Sequence, residues 1–212
     1  PRCTYLVALD PSLGTGGDYG AIQVYEMPSM EQVAEWHHNT TPIQSQVRIM
    51  RDICKYIEEE CNRQDTTVSL YFSVENNTVG ESALVVIDNL GEETFPGIFL
   101  SEPSRKGHVR KFRKGFNTTN KSKLAACAKF KTLIESKRMT IVSKPLISEL
   151  KTFVAHGTSY AAKIGETDDL VMATLLAVRM MQLLQTYHTE MDNQMRDHGD
   201  VMIEPMPFIV MR

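Results

Sequence analysis

The segment from Tyr5 to Glu26 limits the fold of this 212-residue chain more than any other. Its two ends, around Val7 and Val24, have the apolar or alternating residues of β-strands, and a glycine-rich loop of about ten residues joins them. A loop this short has no room for the helix that connects parallel strands, so the two strands must pair antiparallel. Gln32 to His38 alternates in the same way. The sequence therefore predicts an antiparallel meander of three strands.

Helices and strands alternate after this meander. Pro42 to Cys61 repeats apolar residues every three or four positions, which predicts a helix covering the sheet. Val68 to Glu75 is then predicted as a strand, and Thr78 to Asn89 as a helix that ends at a glycine. The remaining predicted elements are a strand over Gly97–Leu100, a helix over Asn120–Ser136, a short strand over Met139–Val142, a helix beginning at Pro145, a β-hairpin of Phe153–Ala155 with Tyr160–Ile164, and a long helix from about Asp168.

The composition, with 42% hydrophobic and 23% charged residues, is typical of one globular α/β domain. We assign residues 1–198 to this domain and residues 199–212 to a tail that is disordered or docks on another protein. Because the chain begins at Pro1 rather than Met, we expect it to be part of a longer protein. No uninterrupted apolar stretch approaches the roughly 20 residues that cross a bilayer, so no membrane partner is expected. The four cysteines form no CxxC pair and are expected to be reduced thiols, as in a cytoplasm.

Positive charge is concentrated in one part of the chain, although the formal net charge is only −3. Residues 104–138 contain 12 of the 23 basic residues and a single acid, Glu135. A run of one sign favours a phosphate-backbone contact surface over an ordinary solvated face. The predicted DNA-binding residues in this basic segment (residues 104–138) are Arg105, Lys106, Arg110, Lys111, Arg113, Lys114, Lys121 and Lys123.

Three acidic points stand at the ends of predicted elements. Asp10 ends the first strand, Glu75 ends a later strand, and Asp168 and Asp169 follow Thr167, a predicted N-cap, in the first turn of an apolar helix. Each feature alone has a structural explanation, as a turn residue or as an acid favoured by the helix dipole. Together they favour a shared metal site, because one sheet can bring two strand-end carboxylates and a helix-start carboxylate to the same edge.

Carboxylates are the hard oxygen ligands that Mg²⁺ and Mn²⁺ prefer, and two or three suffice when phosphate and water complete the shell. Two such ions roughly 4 Å apart can bind both the attacking and the leaving oxygen of a phosphoryl displacement. The sequence therefore predicts metal-assisted hydrolysis of a phosphodiester, with two ions per site once DNA is bound. No Ser, Cys or His nucleophile is required. Asp18 in the first loop and His156 in the predicted hairpin are further candidates for the same site, with a plain turn role open for Asp18.

The stretches "LVALDPSLGTGGDYGAIQVYE", "YFSVENNTVG" and "GETDDLVMATLLAV", in this order, resemble the three acidic motifs of the C-terminal nuclease domain of tailed-phage large terminases. The resemblance is closest to the T4-like phages and extends from Tyr5 to about Leu184. It implies a ribonuclease H-like mixed sheet, with the first three strands antiparallel, the later ones parallel, and helices on both faces. It also implies an endonuclease that cuts double-stranded viral DNA at the initiation and termination of genome packaging. The implied partners are an N-terminal ATPase domain, a portal and a small terminase subunit, at the packaging motor in the host cytoplasm.

The resemblance matches Asp10, Glu75 and one residue of the Asp168/Asp169 pair to the metal-binding triad. We favour Asp169 as the ligand and Asp168 as an alternative or supporting residue, because an apolar stripe that begins at Asp169 should face the sheet. The corresponding stripe from Asp168 should face solvent. The first stripe consists of Ala173, Leu176, Met180 and Leu183, and the second of Met172, Leu175, Arg179 and Gln182.

Adenosine triphosphate hydrolysis is not expected from this chain. It contains no GxxxxGK[ST] motif, and its glycine-rich "LGTGGDYG" lacks the lysine that reaches the phosphates. Two other classes of function stay open: a Holliday-junction-resolvase-like nuclease of the same fold, and a non-catalytic DNA-binding module in which the acids only cap helices and form turns.

Overall fold

A five-stranded mixed sheet lies at the centre of the structure, a computed structural model that describes residues 2–103 and 114–199, with side chains described up to residue 187. The first half of the chain forms β1 (Arg2–Asp10), β2 (Gly20–Met27), β3 (Glu31–His38), α1 (Ile43–Arg63), β4 (Thr67–Val74), α2 (Thr78–Leu90) and β5 (Ile98–Phe99). The second half forms α3 (Asn120–Glu135), α4 (Lys144–Thr152), the hairpin β6 (Phe153–His156) and β7 (Ser159–Ala162), and α5 (Asp169–Gly199).

The strands follow the order β3-β2-β1-β4-β5 across the sheet. The first three pair antiparallel, and β4 and β5 are added parallel to β1. This confirms the predicted α/β mixed sheet. It also places the carboxyl ends of β1 and β4 side by side, because Leu9 pairs with Val74 and the Glu75 backbone N–H donates to the Leu9 carbonyl at 3.0 Å. Asp10 and Glu75 are the next residues on these two strands.

Helices cover both faces of the sheet. Successive side chains of a strand point to opposite faces, and the central strand β1 has buried apolar side chains on both. Val7, Leu9 and Phe72 contribute to one core layer beneath α1 and α2. A second layer on the other face packs residues of α3 and α4 against α5, with Leu146 and Leu170 fully buried. Burial of apolar side chains in the two layers is the main favourable contribution to this fold.

The predicted strand over Met139–Val142 is wrong. A single bridge joins Thr140 to Glu31 at the edge of the sheet. The side chain of buried Gln32 takes the place of further pairing, since its Oε1 accepts the backbone N–H groups of Val142 and Ser143, each at 3.0 Å. A side chain thus satisfies donors that a longer strand would have paired with backbone.

Helix α5 extends beyond the domain that contains the sheet. The chain up to Met181 forms one compact unit, and the later turns of α5, from Gln182, belong to a second unit. The stretch Asp169–Tyr187 is long and apolar enough to cross a membrane, with a mean hydropathy of 1.2, but 67% of it is buried within the protein. That burial is typical of a helix that fills a core.

Candidate metal centre

Two buried carboxylates stand next to each other at the carboxyl ends of β1 and β4. Asp10 is 7% exposed and Glu75 is 6% exposed, and their side chains are hydrogen-bonded to each other. Burial, followed by the neighbouring charge of Glu75, raises the pKa of Asp10 well above its ordinary value. Two carboxylates can share such a contact only when a proton or a cation lies between them.

Helix α5 brings two more carboxylates to the same place. Asp169 is its first residue, and the Asp169 Oδ2 accepts the backbone N–H of Tyr19, in the loop after β1, at 3.3 Å. Burial raises the pKa of Asp169 to about 7, and the charges of Glu149, Asp168 and Asp18 act in the same direction, while the Tyr19 hydrogen bond opposes the rise. Asp168 and Asp169 both contribute to the raised pKa of Asp10. The three acidic points of the sequence are therefore electrostatically coupled in the fold.

A cavity of about 380 Å³ collects these side chains. Its walls are the loop that follows β1, the end of β4, the start of α2, and one side of α3 and α5. Among the described residues, five carboxylates and one basic side chain line it: Asp10, Asp18, Glu75, Asp168, Asp169 and Lys123. The excess of negative charge, part of it buried, is unfavourable without a compensating cation.

The donor set fits a hard divalent cation. All five acidic side chains offer carboxylate oxygen, and no described His or Cys side chain lines the cavity, as suits Mg²⁺ or Mn²⁺ better than a softer metal. Within residues 2–103 and 114–199, no three acidic, His or Cys side chains already stand together as a metal-binding group. Instead Asp10 and Glu75 are hydrogen-bonded to each other, and a cation bound there would take the place of the proton that they share.

Lys123 distinguishes the two neighbouring aspartates. Its Nζ lies 3.6 Å from Asp168 Oδ2 and 5.3 Å from the centre of the Phe153 ring, and its side chain is 15% exposed. Asp168 thus has a cation as partner, whereas Asp169 accepts a hydrogen bond from a neutral backbone amide. Of the two, Asp169 has the greater need of a metal ion.

Residues 7–181 match the sequence profile of the terminase RNaseH-like domain family. The chain belongs to this family. Its fold is similar to that of the large terminase nuclease from the thermophilic phage G20c with bound magnesium, with a TM-score of 0.61, 16% identity, and coverage of 84% of this chain and 81% of that one. The same nuclease with bound cobalt gives a TM-score of 0.61 at 15% identity, with the same coverage. The human cytomegalovirus terminase nuclease domain gives 0.58 at 15% identity, covering 84% and 82%.

Other residues predicted for this terminase domain lie elsewhere or outside the described residues. Arg105, Lys106, Arg110, Lys111 and Arg113 belong to residues 104–113, which the structure does not describe. Three further predicted residues are placed as follows: Lys114 forms ion pairs with Asp88 and Glu92 at 2.7 and 3.0 Å, Lys121 is exposed on α3, and His156 is exposed on β6 and does not line the cavity.

Two predictions about the start of α5 are wrong. The stripe that continues from Asp168 does not face solvent, because Leu175 is 2% exposed and Arg179 is 9% exposed. The terminase domain packs other elements around most of the helix circumference here, so periodicity could not separate a buried face from an exposed one. Thr167 is also not the N-cap residue, because α5 begins at Asp169 and Asp168 is the residue before it; the Thr167 hydroxyl instead donates to Glu149 Oε1 at 3.0 Å.

Gln46, a fully buried residue of α1 that fixes the chain after Asp10, was not predicted from the sequence. Its Oε1 accepts the Ser12 backbone N–H at 3.1 Å, and its Nε2 donates to the carbonyls of Ser12 and Thr41 at 2.9 and 2.7 Å. A polar residue on the apolar face of a predicted helix was the available signal. Its partners could not be inferred, because Ser12 is 34 positions away.

Arg179, which the sequence placed on a solvent-facing stripe, instead supports the end of β4. Its guanidinium lies 5.1 Å from the centre of the Phe116 ring and donates to Thr118 and to the Asn117 carbonyl. Arg179 also forms an ion pair with Glu102. Phe116 forms the bridge to Glu75, so Arg179 contacts the segment that lies against this carboxylate-bearing residue.

Proposed function

We propose that this terminase domain is a divalent-metal-dependent endonuclease that cuts double-stranded DNA at the initiation and termination of viral genome packaging. The observation that carries the proposal is the convergence of Asp10, Glu75, Asp168 and Asp169, from two strands and one helix, on one cavity. Turn or capping roles give no reason for four carboxylates to line one cavity, where burial raises the pKa values of Asp10 and Asp169.

Asp10, Glu75 and Asp169 would hold Mg²⁺ or Mn²⁺, with two ions expected when DNA is present. When bound, such cations supply Lewis-acid chemistry, making a water acidic enough to attack phosphorus and stabilising charge on the leaving oxygen. The Tyr19 backbone N–H orients the Asp169 carboxylate. The low exposure of Asp10 and Glu75 keeps bulk water from their carboxylates. Lys123 Nζ, inside the cavity, offers a positive charge to a phosphate oxygen of the substrate.

The basic segment supplies the attraction for DNA that the acidic cavity lacks. Helix α3 begins beside the cavity with Lys123 and has Lys121 exposed on its first turn. Phosphate contacts of this kind give affinity without sequence preference. We extend the proposal to the rest of the packaging motor: an N-terminal ATPase domain, a portal and a small terminase subunit are the proposed partners, in the host cytoplasm. Membership of the terminase RNaseH-like family supports this extension.

Cleavage assays with three substrates test the proposal. Purified protein should nick and linearise supercoiled plasmid and cut linear duplex in Mg²⁺ or Mn²⁺, and EDTA should stop the reaction. Cleavage confined to four-way junctions would support a resolvase instead. DNA binding without cleavage in either metal would support a non-catalytic module, and both results would contradict the proposal.

A further inference from the structure

Glu149, near the end of α4, makes contacts on both sides of the Asp168/Asp169 pair. Its Oε1 accepts the Thr167 hydroxyl at 3.0 Å, and its Oε2 accepts the Val171 backbone N–H at 3.0 Å. One carboxylate from another helix therefore binds the residue before the pair and the second residue after it.

The first turn of a helix has backbone N–H groups that no preceding carbonyl can accept, and a nearby side chain normally accepts one of them. In this protein the acceptor comes from 22 positions earlier in the chain, on a different helix. The start of α5 is thus fixed relative to α4 as well as capped. A local Ser, Thr or Asn cap would satisfy the N–H group without fixing the two helices together.

The location of this carboxylate is costly for a purely structural group. Glu149 is 8% exposed, and burial raises its pKa above the ordinary value, while its hydrogen bonds to Val171 and Thr167 partly offset that effect. It also adds negative charge beside Asp169, which already has like-charged neighbours. What this side chain contributes, and a local cap does not, is two hydrogen bonds from a second helix that hold both sides of the Asp168/Asp169 pair.

We propose that Glu149 is a positioning residue that holds the Asp168/Asp169 turn with its carboxylates towards the cavity, so that the site binds divalent cations tightly. The inference rests on the proposed function of that cavity. Groups that orient metal ligands through hydrogen bonds typically change metal affinity or activity by about 10- to 100-fold when they are removed. Glu149 has the contacts of such a group, although it does not itself line the cavity.

Two conservative variants separate geometry from charge. Glu149→Gln keeps the length, can accept from the Val171 N–H, and can donate its amide to Thr167 Oγ1 with the hydroxyl reversed. Glu149→Asp keeps the charge but is one methylene shorter, so it cannot reach both partners. If Glu149 acts by positioning the turn, Glu149→Gln should be tolerated and Glu149→Asp should not. Ile87→Val, in the core layer on the opposite face of the sheet, is the control for a loss of stability alone.

Three measurements on the full chain decide the matter: amide hydrogen exchange of residues 168–172, Mn²⁺ affinity by calorimetry with the metal alone, and plasmid nicking kinetics. In Glu149→Asp we expect exchange of the first α5 turn to rise and Mn²⁺ affinity to fall by about tenfold, with kcat reduced and KM for DNA unchanged. Glu149→Gln should stay within about twofold of the wild type, and Ile87→Val should change only Tm.

Wild-type Mn²⁺ affinity and kcat in Glu149→Asp would overturn the inference, as would equal losses in Gln and Asp. A wild type that neither binds Mn²⁺ nor cuts DNA contradicts the proposed function instead. In that case the exchange data alone decide whether Glu149 holds the turn: faster exchange in Glu149→Asp supports it, and unchanged exchange contradicts it. If Glu149→Asp does not fold, Thr167→Val, which removes one of the two contacts, takes its place with a smaller expected change in the same direction.

Discussion

The buried Asp10 carboxyl has an unfavourable environment at the candidate metal centre. It is removed from water and bonded to Glu75, and further carboxylates act on it from α5. Without a metal ion the protein reduces this cost by keeping a proton on the cluster, which is what the raised pKa of Asp10 expresses. A bound divalent cation would compensate the same charge. Protons and metal ions should therefore compete for this site.

The raised pKa values predict how the stability of the metal-free protein changes with pH. Asp10 and Asp169 bind protons more tightly folded than unfolded, so their contribution is fully present below the unfolded pKa of 3.8 and is lost as pH rises through the folded values, about 7 for Asp169. Asp10→Asn removes one of these groups. In thermal melts with EDTA we expect its Tm to exceed the wild-type Tm by roughly 3 °C near pH 8, with a smaller difference near pH 5. A variant less stable than the wild type at the higher pH would show that the cluster is not repulsive.

The Asp168/Asp169 pair allows a second test at the level of single residues. Asp169→Ala should be far more damaging to plasmid nicking than Asp168→Ala, because Asp169 has a neutral amide partner while Asp168 is paired with Lys123. A pure capping role predicts similar, mild losses of about 0.3–1 kcal/mol in stability for the two variants and little change in rate. Nicking rates and melts of both variants in Mg²⁺ and Mn²⁺ provide the comparison. A selective loss in Asp168→Ala would assign the ligand to the other residue.

At the level of elements, the packing of α2 against the end of β4 sets the position of Glu75. Gly80 lies in the first turns of α2, and a Cβ built there would be 1.8 Å from the Glu75 carbonyl oxygen. The helix can approach this closely only because the side chain is absent. The Asn77 side chain caps the same helix by accepting the Gly80 N–H at 2.8 Å. The start of α2 and the end of β4 therefore pack directly against each other.

Gly80→Ala should therefore destabilise the protein, although the same change in an open helix stabilises by roughly 0.5–1 kcal/mol. Overpacking of this kind costs about 1–3 kcal/mol, and the displaced Glu75 should also slow nicking. Ser82→Ala, at an exposed position of α2, is the matched control. Chemical denaturation and nicking rates of both variants provide the measurement. A Gly80→Ala protein as stable and active as the control would mean that β4 and α2 can separate without consequence.

The sequence predicted the elements well wherever local periodicity determines them. Strands β1 to β4, the hairpin and the five helices follow apolar patterns to within a few residues, and Asp10 and Glu75 were recognised from strand ends. Contacts between distant polar residues could not be predicted in this way. Gln46, Glu149 and Arg179 bind backbone or side chains 34, 22 and 62 positions away, and no local pattern encodes such partners. The same limitation explains why the predicted strand over Met139–Val142 is wrong, because Gln32, whose side chain binds the Val142 and Ser143 backbone, is also distant in the sequence.

At the scale of the whole molecule, charge is separated between an acidic cavity and a basic segment. Residues 104–138 are strongly positive while the chain as a whole has a net charge of −3. Within this segment, the ammonium of Lys114 is paired with Asp88 and Glu92, and these hydrogen bonds raise its pKa. It should contribute less to DNA binding than unpaired cations would.

Neutralising Arg110, Lys111 and Arg113 together should weaken DNA binding without sequence preference. The slope of log affinity against log salt should fall by roughly 0.9 for each phosphate that the variant no longer neutralises, whereas Lys114→Ala alone should leave it nearly unchanged. Fluorescence anisotropy with duplexes of different sequence over a range of salt concentrations measures both quantities. An unchanged slope in the triple variant would assign the basic segment to a solvated face.

The candidate metal centre is tested most directly by a comparison of two rates: supercoiled-plasmid nicking in Mn²⁺ by Asp10→Asn and by the wild type. We predict that the rate falls at least about a hundredfold, beyond the loss usual when only a hydrogen-bond partner of a ligand is removed, while DNA affinity is kept. Asp52→Asn, an exposed acid on α1, should cut like the wild type. Substantial Mn²⁺-dependent nicking by Asp10→Asn would contradict the assignment of this cavity as the metal centre.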